Sequence, residues 1–194
     1  MQWRCGSASP AAIVVCALAL ASCAELPPKA AASVAFPPVR AAFDIAGRLS
    51  LKRGGQALTA NFQWQHNGAE DTIDLASPTG QTVARLYGAP GSATLQTADG
   101  RVETAADWNA LTTRALDWSL PVAGLAFWIQ GVPRPDAEFS VEAGAGTEPG
   151  VLRQDGWTVV YLAFAAGENH LPRPARMTLS YPDVEVRLVV DAWR

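Results

Sequence analysis

In the stretch ALTANFQWQ (57–65), Leu58, Ala60, Phe62 and Trp64 alternate with Thr59, Asn61, Gln63 and Gln65. A strict period of two sends one set to each face of a strand, aromatic inward and polar outward, as in an antiparallel sheet with one wet face. The partner strand is predicted over Phe43–Lys52, joined across RGG, where Gly54 and Gly55 supply a tight turn. Further strands are predicted over Thr72–Ala76, Thr82–Tyr87 and Ala93–Thr97, between turns at SPTG, GAPG and ADG. After Thr104 the period changes. Trp108, Leu111 and Ala115 fall at helical spacing, with Thr104 three residues before Asp107 as a capping signal. A second helix is predicted over Pro121–Gln130, with proline in its first turn and Gly131 as its stop. Its sequence, PVAGLAFWIQ, is apolar nearly all round, so it is covered on every side or lies against something greasy.

Strands resume over Ala137–Val141, Val151–Gln154, Trp157–Phe164, Arg176–Tyr181 and Glu185–Trp193. In the last, Val184, Val186, Leu188 and Val190 alternate with charged residues, although Val189 and Trp193 break the polar face. Counted by hairpin spacing the strands number about eleven. A sheet that wide tends to curl, and two short helices are little to cover its concave side.

The amino-terminal pattern is different in kind. A short start with one charge, Arg4, precedes an apolar run from Ala11 to Leu20. That run is shorter than the roughly 20 residues a spanning helix needs, and reads as an export signal. Leu20, Ala21, Ser22 and Cys23 resemble the bacterial lipobox, which implies cleavage before Cys23 and a diacylglycerol on its thiol. The alternative is ordinary secretory cleavage after Ala21 and Ser22, which leaves a free thiol. Cys5 and Cys16 would depart with the signal, so the mature chain would hold one cysteine and no internal disulfide. From Ala24 to Ala42 the composition is Ala and Pro, with Pro27, Pro28, Pro37 and Pro38 favouring extended chain; Ala30–Val34 fits a short helix. This divides the chain into a signal peptide (1–22), a lipidated Cys23 with its linker (23–42) and one domain (43–194).

Composition narrows the function. A net charge of -3 argues against nucleic acid, which requires a basic face. His66 and His170 are predicted in exposed turns, without the spacing of a metal site, and Glu70 and Asp71 as solvated charges beside a turn. There is no GxSxG, Walker or GxGxxG motif, so no enzyme chemistry, metal or cofactor is expected. What stands out is 49% hydrophobic residues and seven Trp, six beyond the signal. Phe62, Trp64, Trp118, Phe127, Trp128, Trp157, Tyr161 and Trp193 either pack a barrel core or line a pocket for acyl chains, and the sequence admits both.

The blocks FDIAGRLSLK, ANFQWQ, IDLASPTG, FWIQGVP, GWTVVY, LPRPARMTL and VRLVVDAW, in that order behind a lipobox, resemble the LolB family over most of Phe43–Trp193. The resemblance implies a mainly β fold with some α: a single curled antiparallel sheet forming an unclosed β-barrel, LolA/LolB-like, covered by short helices. It implies an outer-membrane lipoprotein, anchored through Cys23 and facing the periplasm, that accepts lipoproteins from a LolA-like periplasmic carrier. Their acyl chains would enter a hydrophobic cavity, for which Phe62, Trp64, Leu75, Trp128, Trp157 and Tyr161 are candidate lining residues. The expected partners are the carrier, the client lipoproteins and the membrane, with the protein itself a monomer. A structural envelope lipoprotein with a filled barrel core is the competing expectation. One departure concerns the turn that the family uses in delivery to the membrane, where a protruding leucine sits in a Pro-Leu-Gly sequence. Here the turn reads Pro78, Thr79, Gly80, and threonine offers far less apolar area.

Overall fold

The computed structural model describes residues 34–116, 119–146, 148–167 and 171–194. The leader, Cys23, the linker as far as residue 33, Trp118 and His170 lie outside the described residues. Residues 34–40 have no regular secondary structure.

Among the described residues one antiparallel sheet of eleven strands carries the fold. In chain order it comprises β1 (Ala42–Arg53), β2 (Gln56–Asn67), β3 (Glu70–Ala76), β4 (Thr82–Ala89), β5 (Ser92–Thr97) and β6 (Val102–Ala105). After two helices, α1 (Trp108–Leu116) and α2 (Val122–Trp128), come β7 (Phe139–Ala143), β8 (Pro149–Gln154), β9 (Trp157–Ala166), β10 (Pro172–Tyr181) and β11 (Val184–Trp193). The spatial order β6-β5-β4-β3-β2-β1-β11-β10-β9-β8-β7 places the first and last strands side by side at the centre and leaves β6 and β7 as unjoined edges. This is the expected unclosed barrel. Both edge strands are short, four and five residues, which limits the unpaired backbone they offer.

The inward side chains of β1, β2, β8, β9, β10 and β11 form one core with α2, including Ile45, Trp64, Leu152, Val159, Met177 and Leu188. Fully burying a side chain such as Leu, Ile, Val or Met contributes about 1.5–3 kcal/mol. The β1–β2 hairpin turns at Gly54 and Gly55, both at positive φ.

A bulge explains one of the two positions that broke the β11 alternation, Trp193, whereas Val189 stays in register on the outer face opposite Arg48. Between β1 and β11 the register jumps at Ala46/Gly47, so that Gly47 faces Val190 and Ala46 faces Ala192, leaving Asp191 unmatched. One extra residue reverses the parity, and Trp193 pairs with Ile45 and turns inward. Asp191 itself is held outside by Arg48, whose guanidinium donates two hydrogen bonds of 2.9 and 3.1 Å to it. A second irregularity lies between Pro174 and Met177, and it accommodates the prolines with which β10 begins.

Several sequence expectations are corrected. β6 has no counterpart among the expected strands, because VETA shows only four residues of weak alternation, and Thr104, expected to cap α1, lies inside it. The cap is Asp107, whose Oδ1 accepts from the Ala110 N–H at 2.7 Å. β10 begins at Pro172 rather than Arg176, and β7 begins at Phe139 rather than Ala137. α2 is shorter than expected at seven residues, with Pro121 just before it and Gly131, at positive φ, closing the following turn. His66 is not in a turn but in β2, largely covered, stacked on Phe43 with ring centroids 4.8 Å apart.

Candidate functional site

α2 lies on the concave face of the sheet and fills it. Trp128 is fully buried, and Val122, Gly124 and Ala126 face the core with it. Gly124 is needed there, because a Cβ at that position would stand 2.9 Å from the Trp128 ring. The helix is shorter than an isolated helix could sustain, so its stability comes from packing and from specific hydrogen bonds.

Those bonds come from three side chains. Gln154, buried at the end of β8, accepts from the Trp128 indole N–H and from the Arg134 backbone N–H, each at 2.8 Å. Its amide donates to the Arg134 and Ala137 carbonyls, so one side chain ties α2 and the 134–137 segment to the sheet. The Tyr161 hydroxyl, on β9, donates to the Trp128 carbonyl at 2.9 Å, and burial pushes its phenol above the usual tyrosine range. Gln130 donates to the Ala126 carbonyl and exchanges two bonds with the Arg40 backbone, joining the helix end to the segment that leads into β1. The three side chains that organise this network, Gln154, Tyr161 and Gln130, are buried with their partners present, which specifies one docked position for α2.

Of the six residues expected to line a cavity, Phe62, Trp64, Trp128, Trp157 and Tyr161 are buried in the core cluster and Leu75 packs against it half-exposed. They are brought together, but around α2 rather than around open space. Two clefts flank the helix. One, of about 480 Å³, is lined by Pro121, Ala123, Gly124, Trp157, Tyr181 and Val184, with Arg134, Asp155 and Asp183 among its polar residues. The other, of about 350 Å³, is bordered by Ala126, Phe127, Trp108 and Pro90, with His66 and Asp71. Ala123 borders both, so the helix stands as the partition between them. Trp157 is the one member of the six that reaches either cleft.

At the second cleft, the Asp71 carboxylate accepts from the Trp64 indole at 2.7 Å and contacts His66 Nδ1 at 2.8 Å through the same oxygen. Asp71 is therefore a largely covered acceptor that fixes two rings, not the solvated charge expected from its place beside a turn. α1 closes this side because β4 carries Gly88, where a Cβ would stand 2.3 Å from the Trp108 ring. The turn Ser77–Gly80 lies on the surface, with Pro78, Thr79 and Gly80 exposed. The Thr79 hydroxyl meets that of Ser77 at 2.8 Å, and the turn is closed by the Gly80 N–H on the Ser77 carbonyl.

Sequence reasoning missed Gln154, Gln130, His66 and Asp71. The two glutamines carried no pattern, since a single amide in an apolar neighbourhood shows its partners only in three dimensions. Among the described residues no three His, Cys, Asp or Glu side chains stand together as a metal site would require.

The comparisons with known proteins agree with this architecture. The model of the family "Outer membrane lipoprotein LolB" matches residues 41–193. The outer-membrane lipoprotein LolB of Thiobacillus denitrificans is 39% identical over 186 residues, covering 95% of this chain and 96% of that protein. That of Azoarcus sp. is 36% identical over 174 residues, with coverage of 90% and 89%. Among solved structures, a DUF1329 family protein from Desulfovibrio piger superposes with a TM-score of 0.54 at 10% identity, over 79% of this chain and 85% of that one, a likeness of fold alone. With the family model spanning the whole sheet and full-length relatives above 30% identity, the chain belongs to the LolB family, a family of outer-membrane lipoproteins and not of enzymes.

Proposed function

We propose that the protein accepts lipoproteins from a LolA-like periplasmic carrier, encloses their acyl chains against the concave face, and passes them into the outer membrane. The observation that carries this reading is the partition. A continuous apolar face is sealed by one seven-residue helix with a cleft on either side, so withdrawal of α2 alone, taking Trp128 with it, would join the clefts over Phe62, Trp64, Leu75, Trp157 and Tyr161. In exchange for the packing of α2, an acyl chain would bury comparable apolar area, and a difference of only about 1.4 kcal/mol biases transfer tenfold. No nucleotide is required for such an exchange.

On this reading Cys23 carries the lipid that holds the domain at the periplasmic face of the membrane, the residues from 24 up to the docked Arg40 are its tether, and the receptor works as a monomer. Several acyl chains on one residue make a firm anchor, since each buried CH₂ contributes about 0.8 kcal/mol. The filled interior favours a second reading, a structural envelope lipoprotein whose core never opens. One experiment separates them. Protein lacking Cys23 is mixed with a LolA-type carrier loaded with labelled lipoprotein, and the two proteins are then separated. Label moving to this protein is the expected result. Label remaining on a carrier that releases it to another LolB would support the structural reading instead.

A further inference from the structure

The last residues before β1 join the end of α2 to the edge of the sheet. Residues 36–40 have no regular secondary structure, yet their course is fixed at three points. The Gly68 N–H donates to the Ala41 carbonyl at 2.6 Å and roots the segment at the β2–β3 turn. Beside that root the Gln130 amide, 1% exposed and two residues beyond α2, accepts from the Arg40 N–H at 2.8 Å and donates to the Arg40 carbonyl at 3.3 Å. Four residues earlier the Phe36 ring meets Phe139 edge-on, with centroids 5.9 Å apart. The segment therefore follows the 130–139 connection, from the end of α2 to the first residue of the edge strand β7.

Pro37 and Pro38 have no N–H to give to a ladder and favour extended backbone, so this stretch cannot zip onto β7 as a further strand. Its grip on the helix passes through one side chain. Gln130 also donates to the Ala126 carbonyl at 3.0 Å inside α2, so its two amide hydrogens and its oxygen are all satisfied only while segment and helix are both in place. Lifting the segment would leave a buried amide short of partners, a state that is relieved when the end of α2 moves toward water. The contact at the far end is the more exposed one, with Phe36 and Phe139 both classed as exposed, and it is placed to let go first.

We propose that residues 36–40 are a strap that locks α2: seated, it holds the helix end closed through Gln130, and lifted, it makes opening easier. The coupling is reciprocal, so an opened helix also loosens the strap. Because the strap is continuous with the tether, the opening of the concave face responds to how the domain lies on that tether. This last consequence rests on the acyl-transfer reading, whereas the lock does not.

The test is native-state hydrogen exchange on the empty mature chain, residues 23–194 with Cys23→Ala, read at the Ile129 and Gly131 amides and, as controls, in β1 and β11. Phe36→Ala alters a side chain whose ring contact is with Phe139, yet it is expected to speed exchange at Ile129 and Gly131 about threefold while the strands keep their rates. Gln130→Met removes the joint and is expected to speed the same amides about tenfold. In the double variant Phe36→Ala should add nothing further, because its effect has lost its route. Should Gln130→Met fail to fold, Arg40→Pro, which deletes the N–H that Gln130 accepts, takes its place in the cycle with the same expectation. Unchanged α2 exchange in Phe36→Ala, equal acceleration of α2 and the strands, or an effect of Phe36→Ala that persists in full once the joint is gone would overturn the proposal. No carrier or lipoprotein enters this experiment, so a failure of acyl transfer and a failure of the lock are read separately.

Discussion

Gln154 is the residue on which the closed state depends most directly, because its one amide serves four backbone and side-chain groups. In Gln154→Leu, which keeps the bulk, the Trp128 indole, the Arg134 N–H and the Arg134 and Ala137 carbonyls all lose their partner. Each unpaired buried group costs about 1–3 kcal/mol, but some will find water at the cleft, so the expected loss is about 3 kcal/mol. The urea midpoint measures it, and an unchanged midpoint would mean that the network is solvated rather than structural. Tyr161 makes a different and pH-dependent prediction. Its phenol is protonated and raised in the folded state, while in the unfolded chain it ionises near pH 10.0. The folded state then binds the proton more tightly, so the stability that Tyr161 contributes is present in full below about pH 10 and falls as the pH rises beyond it, by up to about 1.4 kcal/mol per unit. Tyr161→Phe should lose the Trp128 carbonyl contact at neutral pH but show a shallower decline between pH 10 and 11. Parallel declines in urea titrations of the two proteins would refute the assignment.

At the scale of elements, the strands with clear alternation were legible because a period of two needs no knowledge of partners. β2, β9 and β11 all follow it, and so does the β1–β2 hairpin, where two glycines mark the turn. The misses at β6 and at the start of β10 share a cause, which is that a bulge or a short edge strand leaves too little pattern. β6 has four residues, and the prolines of β10 read as punctuation when they are in fact the start of a strand beside a bulge. The candidate site was half legible. Its aromatic members could be named from sequence, but whether they bordered a cavity or a packed helix depended on where α2 docks. The Ser77–Gly80 turn tests the other departure. Thr79 is exposed and, among the described residues, its hydroxyl meets that of Ser77, so Thr79→Leu should be tolerated with a change of less than about 0.5 kcal/mol in stability. If the turn meets the bilayer during delivery, the leucine should raise the rate at which labelled lipoprotein passes into liposomes. Equal rates for the two proteins would show that delivery in this chain relies on other groups.

For the domain as a whole, the decisive physical fact is that its apolar face is already satisfied. A receptor with a preformed empty cavity would take up an acyl chain with little rearrangement, whereas on the proposed reading an acyl chain would have to compete here with Val122, Ala126 and Trp128 for the same surface. The sheet around that surface is anchored by ladders on both sides of every central strand, from β5 through β1 to β8, and has no reason to open. α2 has seven residues, a cleft on each flank and a hydrogen-bond network concentrated at Gln154, Tyr161 and Gln130. Opening should therefore be local, with a free energy well below that of global unfolding. Hydrogen exchange can read this directly. In the unliganded protein the amides of Leu125 and Ile129, which bond to Pro121 and Leu125 carbonyls, should exchange faster than those of β1 and β11. If the proposed exchange occurs, loading with a lipoprotein from the carrier should accelerate exchange across Val122–Trp128 while leaving the strands unchanged, because an acyl chain would then replace the helix without replacing the sheet. Protection of α2 that stays equal to that of β1, both empty and loaded, would mean that the concave face is a permanent core, and that the clefts beside it are surface features with no passage between them.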